Sequence, residues 1–152
     1  MIINSRVFGE VEIADDKVIT FESGMLGFEE YKQYTLMYDV EKEKRTIMWL
    51  QCVEEPELAF PVIEPMKVYE GYNPVVEDEW LTPLGEVESE EDYFLLTVFT
   101  VPADLTKMTA NLKAPIVVNT KTMKACQIIV NNDDYPVRYN VYEYIQKMKE
   151  EN

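Results

Sequence analysis

The chain has 152 residues, 47% of them hydrophobic, enough to bury one core without help from disulfides or metal. Its 29 acidic residues against 14 basic ones give a net charge of −15, a surface that repels phosphate backbones and argues against direct contact with DNA or RNA. The same charge favours a basic protein partner through electrostatic steering, or serves solubility alone.

Short apolar or alternating segments separated by turn residues predict a mostly-β chain with a short C-terminal helix, folded as one domain over residues 1–152. Ile2, Ile3, Val7 and Phe8 mark the first strand, Gly9 interrupts it, and Val11 and Ile13 then alternate with Glu10 and Glu12. Asp15-Asp16 makes a turn into Val18 to Phe21. After a loop carrying Gly24 and Gly27, Tyr34 to Val40 reads as strand, Asp39 to Arg45 as a solvated hairpin end, and Thr46 to Val53 as the next strand. Glu54-Glu55-Pro56-Glu57 is a turn before Leu58 to Ile63. Proline cannot donate to a ladder, so Pro61 places that strand at an edge or a bulge.

Residues 77–92 hold eight acids (Glu77, Asp78, Glu79, Glu86, Glu88, Glu90, Glu91 and Asp92) and no base. Trp80, Leu81 and Leu84 are expected to pin this segment as a short helix or ordered loop, with Pro83 and Gly85 limiting its regularity. Tyr93 to Val101 is the strongest strand, nearly continuous in apolar and β-branched residues and so expected to be covered on both faces. It is also the longest apolar run, far below the roughly 20 residues that span a bilayer. Ile116 to Val118 and Ala125 to Val130 flank the loop Asn119 to Lys124 as a hairpin, and Asn131-Asn132-Asp133-Asp134 closes the sheet. Val141, Tyr144, Ile145 and Met148 then recur at i, i+3, i+4 and i+7, predicting a helix over about 141–150. Asn140 and Glu143 form its capping box, and Lys147 and Lys149 favour its C-terminal end. A stripe this narrow fits packing on the chain's own sheet, with docking to a partner as the alternative.

Reactive chemistry is scarce. There is no histidine, which removes the usual general base and the commonest zinc ligand. Ser5, Ser23 and Ser89 stand in no GxSxG elbow, and five glycines build no phosphate-cradling loop. Cys52 and Cys126 each lie inside an apolar segment and read as small core hydrophobes. Two carboxylates held roughly 5 to 9.5 Å apart would permit a hydrolase, but these acids cluster in polar runs where a raised pKa is hard to reach. No D-x-D-x-D-G pattern supports calcium. We expect no catalytic residues, no metal and no cofactor. The N-terminus lacks a basic segment followed by an apolar run, so a cytoplasmic protein with no membrane contact is expected.

Three blocks in order resemble the FliW family of flagellar assembly factors. They are Phe8-Gly9 with Ile19-Thr20-Phe21-Glu22-Ser23-Gly24-Met25-Leu26-Gly27-Phe28; Leu58-Ala59-Phe60-Pro61-Val62-Ile63-Glu64-Pro65 after the acidic turn at Pro56; and Asn111-Leu112-Lys113-Ala114-Pro115-Ile116-Val117-Val118-Asn119 with Cys126-Gln127-Ile128-Ile129-Val130. The likeness covers about residues 2–148. Met25-Leu26 stands where that family more usually has Ile-Pro.

The resemblance implies an antiparallel β-barrel-like fold and a non-catalytic regulator with two partners, flagellin and the basic RNA-binding translational repressor CsrA. Flagellin would occupy the protein and leave CsrA free to repress; export of flagellin would release the protein to capture CsrA and antagonise its RNA binding. A dedicated flagellin chaperone is the alternative, and a small carboxylate-dependent hydrolase a third reading. Buried aromatics give affinity while charges give on-rate, which makes Tyr69, Tyr72, Glu77, Asp78, Glu79 and Trp80 the candidate partner-binding residues. Flagellin is expected near the Pro61 strand. Gly24, Gly27, Phe28, Pro56, Phe60, Pro65, Asn111, Pro115 and Asn119 carry the family pattern and are expected to set turns, bends and core.

Overall fold

The computed structural model describes residues 1–38 and 47–151, with side chains as far as Lys147. The expected hairpin end at 39–45, the last residues of the strand before it, and the side chains of Met148 and Lys149 lie outside the described residues.

The alternating segments assemble by sequential pairing. Strands β1 (Ile2–Ser5) and β2 (Gly9–Glu12) form a separate two-stranded hairpin. Next, β3 (Val18–Thr20), β4 (Gln33–Met37), β5 (Met48–Cys52), β6 (Ala59–Ile63) and β7 (Tyr93–Thr100) pair as successive antiparallel neighbours. The first half of β7 also pairs with β9 (Ile116–Asn119), which pairs in turn with β10 (Lys124–Gln127). The ring closes where β10 meets β3, giving a barrel of β3, β4, β5, β6, β7, β9 and β10. That last contact is parallel and a single rung long: Lys124 lies opposite Thr20, and Thr20 N donates to Met123 O at 2.9 Å. The Lys124 ammonium sits 3.1 Å from the Glu22 carboxylate beside it. The far end of β7 leaves the ring to pair with β8 (Thr109–Ala110), and β11 (Tyr139–Asn140) adds to β8.

The expected barrel is therefore present, with its closing rung parallel rather than antiparallel. Its interior is filled by fully buried apolar side chains, among them Phe21, Tyr34, Leu50, Val62, Leu96 and Ile116. Strand β7 is covered on both faces, as its continuous apolar sequence requires. Phe94, Leu96 and Val98 face the interior, while Tyr93 and Leu95 pack outward against Leu84, Val117 and Ile128.

Pro61 does not mark an edge strand, because β6 lies between β5 and β7. It is tolerated for a local reason. The ladder to β7 covers only Val62 and Ile63. The bond from Cys52 N to Leu58 O fixes the pairing phase with β5, so that the nitrogen of Pro61 points away from Trp49, past the end of the β7 ladder.

The β5–β6 turn is wired from inside by Gln51, fully buried, whose Nε2 donates to Cys52 O, Pro56 O and Leu58 O at 3.1 to 3.2 Å. Pro56 O also accepts from Arg6 N at 3.1 Å, which ties the β1–β2 hairpin to the barrel. The Arg6 guanidinium lies 5.8 Å from the centre of the Trp49 ring. In the loop before β4, Gly24 has φ of +70°, and a Cβ there would sit 2.5 Å from the backbone of Glu29. Only glycine fits.

Among the described residues, three α-helices accompany the strands: α1 (Pro65–Val68), α2 (Asp78–Leu81) and α3 (Tyr142–Glu151). Pro65 occupies the first position of α1, where its missing N–H costs nothing. Asn140 Oδ1 accepts from Tyr142 N at 3.0 Å and starts α3, which packs through Val141 and Ile145 onto Ile63, Phe99, Met108 and Ala110. The stripe thus faces the chain's own sheet. None of the helices is long and apolar enough to cross a membrane, among the described residues.

Candidate functional site

The acidic segment 77–92 is not a tail; it is fastened at three places. Asn131 Nδ2 donates to Glu77 Oε1 at 3.0 Å at its start. In its middle, Asn119, the last residue of β9 and fully buried, extends its amide across the gap. Nδ2 donates to Leu84 O at 3.0 Å and Gly85 O at 3.3 Å, while Oδ1 accepts from Lys121 N at 2.9 Å and Thr122 N at 3.3 Å. Thr122 Oγ1 adds a bond of 2.6 Å to Leu84 O. At its end, Thr120 donates to Asp92 O through both its backbone N (2.9 Å) and its Oγ1 (2.7 Å). The β9–β10 loop is therefore a seat for the acidic segment. Gly85, at φ of +95°, leaves room for the Thr122 side chain, since a Cβ there would press to 2.8 Å from Thr122 Cγ2.

Held this way, the segment forms α2, a 3₁₀ turn over Thr82–Leu84 and a second over Glu90–Asp92, the latter closed by a capping box between Ser89 and Asp92. Leu84 is buried and Leu81 half-buried against Val117, Ile128 and Tyr93. Trp80 does not join them. It is 50% exposed, so the pin expected from three residues comes from the two leucines. None of the eight acids makes an ion pair among the described residues. Glu77 and Glu79 interact directly on the open surface: the Asn131 amide holds the Glu77 carboxyl low, whereas the hydrogen bond with Glu77 holds Glu79 above the usual carboxylate range. Both are solvated, which does not favour an acid–base pair working inside a cleft. Asp78 and Glu86 line a hollow of about 640 Å³ together with Leu81, Val87 and Tyr93.

The other candidates lie beneath or beside this surface. Tyr72 is buried, with its hydroxyl donating to Leu112 O at 2.7 Å. Tyr69, half-buried, stacks edge-on against Tyr72, Tyr135 and Tyr139. These rings form a cluster that also packs Val76, just before the acids. Asn131 and Asn132, which by sequence form only a turn, clamp the stretch from 73 to 77. Asn132 Oδ1 accepts from Val75 N at 2.6 Å and its Nδ2 donates to Asn73 O at 3.2 Å. An Asn pair beside an acidic run is the signal available in sequence, but the contact is distant along the chain.

The remaining pattern residues have structural partners. Asn111 Oδ1 accepts from Lys113 N and Ala114 N, both at 3.1 Å, an Asx turn leading into Pro115, whose carbonyl takes Ile128 N. Phe28 stands edge-on to Phe60 with centroids 5.2 Å apart, and Gly27, at φ of +87°, makes the turn that presents it. Leu26 and Phe28 remain exposed beside that stack. Cys52 is buried; Cys126 is half-buried with its thiol pushed up to about 11 by burial, so neither is a ready nucleophile. No cluster of acids and cysteines that could hold a metal occurs among the described residues.

The sequence model of the family described as FliW protein matches residues 2–141. The chain is 50% identical to the flagellar assembly factor FliW of Lachnospira eligens over 148 residues, covering 97% of this chain and 98% of that protein. It is 48% identical to the protein of the same name from Lachnoclostridium phytofermentans, covering 96% and 94%. A crystal structure of the flagellar assembly factor FliW superimposes with a TM-score of 0.83 at 32% identity, covering 93% of this chain and 96% of that one.

Proposed function

The chain belongs to the FliW family of flagellar assembly factors, and from that premise we propose that it is a cytoplasmic, non-catalytic partner switch. In this reading it captures the basic repressor CsrA on its acidic segment and releases it when flagellin binds.

The observation that carries the proposal is a run of acids that make no ion pair among the described residues, on a segment held by hydrogen bonds. A charged surface fixed in place steers a basic partner and loses little entropy on docking. Glu77, Asp78, Glu79 and the exposed Trp80 would contact it directly, with Tyr69 and Tyr72 supporting the surface from below. The hollow lined by Asp78 and Glu86 suits a lysine or arginine: its stem would meet Leu81 and Tyr93 and its charge the two carboxylates. For flagellin, the exposed Leu26 and Phe28 over Phe60, next to Pro61, supply an apolar contact surface of a different kind. A dedicated flagellin chaperone would use that surface alone.

The test is a titration of the protein into a purified CsrA–RNA complex, with flagellin added afterwards. Release of RNA, reversed by flagellin, is the expected result. RNA that stays bound at saturating protein would refute CsrA antagonism, and flagellin binding measured alone would then decide for or against the chaperone reading.

A further inference from the structure

A hollow of about 670 Å³ lies between the β1–β2 hairpin and the barrel. It is lined by Phe8 and Val11 of the hairpin together with Ile19, Leu36, Leu96 and Val118 of β3, β4, β7 and β9. Ile19, Leu96 and Val118 are buried members of the barrel core, so the hollow reaches the interior. Small closed barrels are ordinarily filled by their own side chains, and protein interiors leave few voids larger than a water. The mouths of β-barrels are favoured places for small molecules, whose pockets run from roughly 300 to 1,000 Å³. Lys17 and Glu12 are the charged residues among those lining this one. Lys17 makes no ion pair among the described residues, although the chain carries 29 acids. Met123 lines the hollow as well, half-buried against the core. Its φ of +59° is the one positive value outside glycine among the described residues. Backbone strain of this kind persists where the surroundings over-determine it, and it gathers at ligand clamps.

We propose that this hollow is a binding site for an apolar molecule with one anionic end, of the fatty-acid type. The hydrocarbon would lie against Ile19, Leu36, Leu96 and Val118, and the carboxylate would meet Lys17. Glu12 in the same lining disfavours a second negative group on the ligand. Met123 supplies the adaptable part of the wall, because its unbranched, polarizable side chain re-packs around hydrocarbons of different length. Its backbone is held meanwhile: Met123 N donates to Asn119 O at 2.8 Å and Met123 O accepts from Thr20 N at 2.9 Å. The site is separate from the acidic segment and from the Leu26–Phe28 surface, and it does not depend on which proteins those recognise.

The test uses the full chain, with anilinonaphthalene sulfonate, itself an apolar monoanion, as the fluorescent probe and decanoate as its competitor. Decanoate below its micelle concentration should displace the probe from a single site per chain. Ala14→Trp puts a large ring at an exposed residue of the lining and should weaken both ligands about tenfold or more. Lys17→Met should weaken decanoate about threefold, as an exposed ion pair would, and leave decanol unchanged. Decanoate that fails to displace the probe, equal affinity of wild type and Ala14→Trp, or a Lys17→Met loss shared by acid and alcohol overturns the proposal. Nuclear magnetic resonance on the wild type needs no variant: decanoate should shift the backbone amides of Ile19, Val118 and Met123. Absence of shifts at all three overturns the proposal by itself, whether or not the variants fold.

Discussion

Replacing Asn119 tests whether the β9–β10 loop holds the acidic segment in place. Four well-formed hydrogen bonds end on this fully buried amide, and at roughly 1 kcal/mol net each they set an upper bound of about 4 kcal/mol. Lys121 and Thr122 are exposed, so water replaces the amide at their N–H groups, and Leu84 O keeps its bond from Thr122 Oγ1. Asn119→Ala should therefore cost about 2–3 kcal/mol, most of it from Gly85 O and the emptied space. Asn119→Asp should cost more at neutral pH, because it buries a charge facing two carbonyls. The sign with pH follows: enclosure holds that carboxyl above its unfolded value of about 3.9, so the folded variant binds the proton more tightly than the unfolded chain. Its deficit relative to wild type is full above the folded pKa and shrinks as pH falls through it, when the protonated oxygen donates to Leu84 O again. Urea unfolding of wild type and both variants at pH 7 and pH 5 measures this. A cost below about 0.5 kcal/mol for alanine, or an aspartate deficit that does not change with pH, would refute the wiring.

Two further outcomes follow from local geometry and charge. Gly24→Ala meets the Glu29 backbone as well as an unfavourable φ and should lose about 3 kcal/mol or more, whereas Gly27→Ala, with open space around it, should lose about 1–2 kcal/mol; thermal unfolding that ranks them equally would contradict the clash. Combining Glu77→Gln, Asp78→Asn and Glu79→Gln should slow association with CsrA about tenfold at low salt and flatten its salt dependence, read by stopped flow, and unchanged kinetics would move the interface off this run.

Strand positions were legible because a half-buried barrel strand writes its burial in period two, and β7 its double coverage in an unbroken apolar run. The helix was legible from one stripe and one cap. Pro61 misled, since sequence shows that a donor is missing but not where a neighbouring ladder ends. The parallel closure was equally hidden, because it joins segments far apart by one rung. In the candidate site, the density of acids could be read directly. Its fastening could not: Asn119, Thr120 and Thr122 act through backbone carbonyls, which every residue has, and so leave no complementary pattern at the other end. Trp80 shows the same limit in reverse, an apolar residue whose outward position only the fold determines.

The closing rung also governs how the molecule is made. Thr20 must wait for Lys124, roughly a hundred residues later, before the ring can shut, and such non-local pairing is slow to form. During synthesis β3 emerges early with its outer flank bare, and for most of translation the nascent sheet is an open ribbon. The seam that zips last is also the thinnest, one rung and the Lys124–Glu22 pair, so global unfolding should start there, and raising salt should loosen it before any other part of the barrel.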